Sequence, residues 1–264
     1  MAIKLQIIEE KQEFYYQFAR TIADEIKMNN DAGRITKLIL PVGPVKHYPV
    51  LAEITNKERI SWKNVWTFNM DEYLDWQGRI IPEAHPLSFK GFMSSFFASI
   101  DEKLRIPAEQ AWFPDPARID EISEKIAVLG GIDTCYGGVG VHGHIAFNEP
   151  PVSRFHQVSI EEFANSLTRI VPLAPETIVM NSIRNTGGNF ADFPPLAVTL
   201  GLKDILNSSR IRLYCDGGDW QKTAVKEALE GQKRIDYPVT LLQDHPDAMI
   251  VATRETVSEI RTAL

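Results

Sequence analysis

Two histidines one residue apart, with a glutamate five residues on, are the groups in this sequence best suited to chemistry. They lie in GGVGVHGHIAFNEP (residues 137–150) as His142, His144 and Glu149. Three readings fit them. Two imidazoles and a carboxylate can converge on a metal ion. Alternatively, His144 moves a proton while Glu149 orients and charges its ring. The third reading is a structural histidine in a polar loop, the usual role of a histidine met singly. Two histidines with a glutamate, placed after a Gly-rich turn, favour the proton relay.

A second acidic pair, Asp71 and Glu72, follows the apolar run Val65 to Met70. Side chains alternate along extended backbone, so one of the two faces a cleft and the other turns away. A carboxylate at the dry end of a strand can hold a raised pKa and act as a base. The plainer reading is a helix cap or a turn. The Gly-rich turns PVGP (residues 41–44) and CDGGDWQK (residues 215–222) can cradle an anion through backbone N–H groups. Gly43, Gly137 and Gly138 are the glycines of interest, and Arg184 and Lys222 the nearby cations. Neither PVGP nor CDGGDWQK matches a P-loop or G-x-G-x-x-G. The H-x-H-x4-E spacing resembles the metal signature of cupins, but those are all-β barrels.

The elements that must position these residues alternate. Phe14, Phe18, Ile22 and Ile26 form one helical stripe. ITKLILPVG (residues 35–43) reads as a buried strand entering a loop, and VKHYPVLAEI starts a helix with Pro49 near its first turn. Val65 to Met70 is a second strand, residues 85–100 an amphipathic helix, and residues 118–131 a helix stopped by a Gly pair. IDTCYGGVG is a third strand and RIRLYCDGG a fourth. WQKTAVKEALEG is a helix ending at Gly231, DAMIVATR a last strand, and ETVSEIRTAL a closing helix. RNTGGNFADFPP (residues 184–195) reads as a surface loop. Such alternation gives a largely parallel sheet covered on both faces, in one α/β domain over residues 1–264. Ligands of open parallel sheets bind at the strands' carboxyl ends, where the loops PVGP, NMDEY, GGVGVHGHIAFNEP and CDGGDWQK fall. An all-β cupin is therefore excluded, and no metal is expected.

Composition narrows the classes further. The 264 residues carry a net charge of -7 with both signs interspersed, which argues against a nucleic-acid face. Two cysteines, Cys135 and Cys215, make a disulfide framework improbable and a reducing, cytoplasmic setting the expectation. The first residues lack a secretory apolar core, and no run approaches a membrane span.

FNMDEYL (residues 68–74) together with GGVGVHGHIAFNEP resembles the glucosamine-6-phosphate deaminase/isomerase family. ALEG (residues 228–231) and LLQDHPDAMIV (residues 241–251) fall where that family has comparable segments. The resemblance implies a modified Rossmann-like three-layer α/β/α fold with a mainly parallel sheet, shared with 6-phosphogluconolactonases. It implies conversion of glucosamine 6-phosphate to fructose 6-phosphate and ammonia with no cofactor, by a homo-oligomer whose partner is a small sugar phosphate. His144 with Glu149, and His142 beside them, would open the ring, Asp71 would carry a proton from C2 to C1, and Glu72, Gly43, Gly137, Gly138, Arg184 and Lys222 would help hold the substrate. Four departures stand out. The family usually has an aspartate where this chain has His142. Its first loop, P-x-G-G-[ST]-P, reads PVGPVKHYP here. Its phosphate lysine aligns with Gln221 or Lys222, and its arginine with Ile183 or Arg184. Lys46 or His47 are candidates to replace lost phosphate contacts. A lactonase-like hydrolase and a non-catalytic sugar-phosphate binder are the alternative expectations.

Overall fold

The computed structural model describes residues 3–258. In chain order the strands are β1 (Lys4–Ile8), β2 (Thr36–Leu40), β3 (Val65–Asn69), β4 (Asp71–Leu74), β5 (Ala111–Trp112), β6 (Thr134–Gly137), β7 (Arg169–Pro172), β8 (Leu196–Thr199), β9 (Arg210–Cys215) and β10 (Ala248–Thr253). The helices are α1 (Lys11–Asp31), α2 (His47–Glu58), α3 (Phe89–Ser99), α4 (Glu121–Val128), α5 (Ile160–Ala164), α6 (Pro175–Asn185), α7 (Leu202–Leu206), α8 (Asp219–Glu230) and α9 (Arg254–Val257). Seven strands form one parallel sheet in the order β1-β10-β9-β6-β2-β3-β5. A second, antiparallel sheet has the order β4-β8-β7.

The sheet is covered on both faces because its strands are apolar on both. In β2, Leu38 and Leu40 join one core with α1, α2 and α3, while Ile39 joins the opposite core with α4, α7 and α8. That is the period-two alternation of a strand buried between two helical layers. The helical stripe of α1 is fully buried at Phe14, Phe18, Ile22 and Ile26. Phe18 stacks on Tyr214 of β9 at 3.6 Å between ring centroids, and on His47 of α2 also at 3.6 Å. One side chain thus ties α1 to the sheet and to the neighbouring helix.

The expected alternation is present, with three differences. The two acidic residues do not simply trail a strand: they open β4, the first strand of the second sheet. The residue 85–100 segment becomes helical only at Phe89, because Ser88 caps it by accepting the Gly91 N–H. The closing helix is described only as Arg254–Val257, and the expectation beyond Ser258 lies outside the described residues. Elements unforeseen from sequence include β1, β7, α5 and α6. Among the described residues, no helix is long and apolar enough to cross a membrane.

Since Phe18 bridges three elements at zero exposure, Phe18→Ala is expected to cost about 3–5 kcal/mol. Equilibrium denaturation in urea checks this; a loss under about 1 kcal/mol would mean that the stack contributes little beyond contact.

Candidate active site

At the carboxyl ends of the parallel strands lies a cleft of about 340 Å³. Its walls come from the loops after β2, β6 and β9, from β4 and the start of α3, and from α6. Asp71, His144, Gly43, Gly138 and Arg184 line it. Glu72, His142, Glu149, Gly137 and Lys222 do not line it, and each has a definite place elsewhere.

Asp71 and Glu72 divide as strand geometry requires. Asp71 faces the cleft and is 6% exposed. Burial, and then the charge of Glu72, push its carboxyl well above the usual carboxylate range. Glu72 points the other way, onto the first turn of α3. It accepts the backbone N–H of Tyr73, Phe89 and Lys90 and the Ser88 hydroxyl, at 2.8–3.0 Å. A carboxylate there satisfies orphan donors and complements the helix dipole. Its work is to fix α3 against β4.

The loop after β6 is held from several sides. Asn148, fully buried, donates to the carbonyls of Ile145 and Leu200 and accepts from Arg169. The Phe147 N–H donates to the Thr199 hydroxyl. His144 reaches the cleft because Gly140 makes room: a Cβ there would stand 1.9 Å from His144 Nε2. Gly138 passes against the Gly43 carbonyl, so its bare Cα lets the β2 and β6 loops touch. Gly137 sits inside the sheet against Leu213 and Met70, where its smallness serves packing.

His144 Nδ1 stands 3.7 Å from Glu149 Oε1, and both groups are buried. Burial, and then the neighbouring His142, pull His144 down to about 3. Burial pushes the Glu149 carboxyl up. The other Glu149 oxygen accepts the Ala174 N–H at 2.6 Å, at the head of α6. His142 is half-turned toward solvent, with Nε2 3.7 Å from Glu176. One nitrogen of each histidine and one Glu149 oxygen lie within 4.8 Å of one another, the only such group of potential metal ligands among the described residues.

Helix α6 runs along the cleft from Glu149 toward α8. Eleven residues at 1.5 Å each span about 16 Å. Thr177, Met180, Asn181 and Arg184 line the cleft from one face; their i, i+3, i+4, i+7 spacing is the signal that went unread in the sequence. Asn181 also donates to the Tyr73 hydroxyl. Arg184 lies over the Trp220 ring at 4.9 Å.

That far end departs from a cation-rich anion cradle. Lys222 pairs with Asp219 at 2.6 Å instead of lining the cleft, and Gln221 lines it. The Gln221 amide is spent internally, accepting the Gly217 N–H and donating to the Val139 carbonyl. The Gly218 N–H donates to the Thr256 hydroxyl. Two donors of the loop before α8 are therefore already engaged. Asp216 adds a carboxylate to the lining, bonded by the Tyr15 hydroxyl at 2.5 Å. Of the suggested replacements, His47 is wholly buried between Phe18 and Tyr48 and cannot reach a ligand. Lys46 is exposed, its Nζ 5.5 Å from the Tyr15 ring centre.

The raised Asp71 value has a stability consequence. The native chain holds that proton more tightly than the unfolded chain. The resulting stability is fully present below the unfolded carboxylate pKa of ~3.9 and is lost as pH rises through the raised folded value. Asp71→Asn removes the loss. Its melting temperature should match wild type near pH ~4 and exceed it increasingly toward pH ~9; a constant difference across that range would contradict the assignment.

Comparison with known proteins follows the same lines. No protein-family model matches the chain. A glucosamine-6-phosphate deaminase of Aeromonas hydrophila is 35% identical over 251 residues, 92% of this chain and 87% of the relative. One from Borreliella burgdorferi is 35% identical over 228 residues, covering 84% and 78%. Among solved structures, one described as a monomeric glucosamine-6-phosphate deaminase superposes with a TM-score of 0.81 at 26% identity, covering 97% of this chain and 99% of its own. A 6-phosphogluconolactonase from Shewanella baltica shares the fold, with a TM-score of 0.65 at 21% identity and coverage of 95% and 97%.

Proposed function

The chain belongs to the glucosamine-6-phosphate deaminase family, and from that premise we propose that it converts a 2-amino-2-deoxyhexose 6-phosphate, glucosamine 6-phosphate first among them, to the ketose phosphate and ammonia. The observation that carries this reading is the placement of Asp71 and His144 in one cleft, with Glu149 behind the imidazole and Arg184 farther along α6.

His144 moves the proton between the C1 hydroxyl and the ring oxygen as the pyranose opens, and Glu149 offsets the charge that the imidazole gains. The open-chain aldehyde then carries an acidic proton at C2. Asp71 removes it, giving an enolamine, and returns a proton to C1. The resulting C2 imine takes up water and releases ammonia. Desolvation suits Asp71 to this work, because a dry carboxylate binds a proton strongly, while a bound substrate ammonium favours its ionised form. Each such proton transfer contributes about 10²–10⁴-fold in rate. Arg184, placed over the Trp220 ring, offers the phosphate a charged fork. Gly43 and Gly138 bring backbone close to the same ligand.

The test is release of ammonia and fructose 6-phosphate from glucosamine 6-phosphate by wild type, Asp71→Asn and His142→Asp. Wild-type turnover that falls by at least about 10²-fold in Asp71→Asn is the expected result. Hydrolysis of 6-phosphogluconolactone that survives Asp71→Asn would support a lactonase instead. Ligand binding without turnover in all three would support a binding protein.

Asp216 places a negative charge in the cleft lining. It is expected to weaken a dianionic substrate, so Asp216→Asn should lower KM for glucosamine 6-phosphate by several-fold with little change in kcat. Equal KM values would show that the carboxylate does not repel the substrate, and a KM that rises would show that it serves it, as it would for a sugar bearing a hydroxyl at C6.

A further inference from the structure

Three buried polar atoms of this one cluster, His142 Nδ1, His144 Nδ1 and Glu149 Oε1, make no hydrogen bond of good geometry, although the Thr177 hydroxyl lies near enough to the Glu149 carboxyl to favour its ionised form. Buried polar atoms are ordinarily satisfied, and orphaned ones are costly. A proton shared between His144 and Glu149 could satisfy two of the three. It leaves the His142 nitrogen without a partner, at a position where the family usually has an aspartate. The second imidazole brings one nitrogen to within 4.8 Å of a ligand atom of His144 and of Glu149.

We infer that His142, His144 and Glu149 form a binding site for a divalent transition-metal ion of the zinc type, with a fourth position open toward the cleft. Two imidazoles and one carboxylate are a donor set that suits zinc, in the three-ligand form that leaves a position for water or substrate. Zinc–ligand bonds of about 2.0–2.1 Å place tetrahedral ligand atoms about 3.3 Å apart. His144 and Glu149 are close to that already, at 3.7 Å. His142 closes the remainder by turning its ring, which is 22% exposed and therefore not locked by packing.

The surroundings of the cluster match a metal site. His142 Nε2 faces the Glu176 carboxylate at 3.7 Å. A carboxylate behind a ligating histidine fixes the ring and raises its basicity. The other oxygen of Glu149 is held by the Ala174 N–H, which leaves Oε1 aimed at the cluster.

One consequence rests on the deaminase reading. The ion takes the same nitrogen and oxygen that the relay uses. With Nδ1 on the metal, the imidazole has no free pair there to share a proton with Glu149. Zinc then acts as a reversible inhibitor of ring opening, and the metal-free protein is the active form.

The experiment uses the full chain stripped with a chelator. Zn²⁺ is titrated by calorimetry, and Co²⁺ by its visible absorption. One equivalent of Zn²⁺ and the intense bands of four-coordinate Co²⁺ are expected. His142→Asn should weaken both at least tenfold, and Glu176→Gln should weaken them less. His156→Asn should change neither, because His156 pairs with Glu162 on the exterior. Far-UV circular dichroism confirms that each variant is folded; should His142→Asn unfold, Glu176→Gln carries the test. Absence of stoichiometric binding, or binding equal in wild type and His142→Asn, overturns the proposal. The readouts also separate it from the enzymatic reading. Turnover without metal binding removes the metal site alone, whereas metal binding without turnover removes the deaminase alone.

Discussion

A single backbone hydrogen bond marks the point on which the site depends: the Leu200 N–H donates to the Met70 carbonyl at 2.7 Å. Met70 is where the chain leaves the seven-stranded sheet, its own N–H bonded to Leu40. The next residue, Asp71, opens the second sheet and pairs with Thr199 of β8. The seam therefore carries a carboxylate at the end of a parallel strand and anchors it from a second direction. The histidine loop is moored to the same seam, through Phe147 to Thr199 and Asn148 to Leu200. Asp71 and His144 keep their relation because both are fastened to the same few backbone atoms. Proton transfer needs groups placed within a few tenths of an ångström, and short bonds between strand ends supply that.

The electrostatics follow from the same enclosure. Asp71, His144 and Glu149 all disfavour their charged forms because water is excluded, and each is shifted in the direction that burial dictates. Glu72 shows the contrast. Burial shifts its carboxyl upward as well, but four donors oppose that shift and it serves as a cap. Of two adjacent carboxylates, one is structurally satisfied and one is left facing the cleft. A carboxylate held facing a cleft by a stable scaffold is the usual mark of a site kept for reaction at some cost in stability.

The far end of the cleft is where this chain differs most from the pattern it resembles. A glutamine lines the cleft where a lysine was sought, and its amide oxygen engages the Gly217 N–H, a donor that an anion would need. Arg184 on Trp220 and Asp216 on Tyr15 place opposite charges in one lining. Affinity there depends on a balance of charges more than on a ring of backbone donors, which makes substrate preference sensitive to single residues in that wall.

The sequence by itself determined the layered α/β architecture, because apolar runs and helical stripes alternate with few interruptions, and Leu38, Ile39 and Leu40 could only be buried on both faces. It also placed His144 and Asp71 at strand ends, where open sheets bind ligands, and period two separated Asp71 from Glu72. It did not reveal that Glu72 caps α3, since Phe89 and Lys90 lie sixteen or more positions away in sequence. Nor did it reveal the second sheet, whose strands of four residues are too short to announce their partners. The fates of Lys222 and His47 were equally closed: a one-residue difference on a helix turns a side chain by about 100°, and only packing decides which residue meets the cleft. Residue type and local period are written in the chain, whereas the choice of neighbour is made by contacts between segments far apart in it.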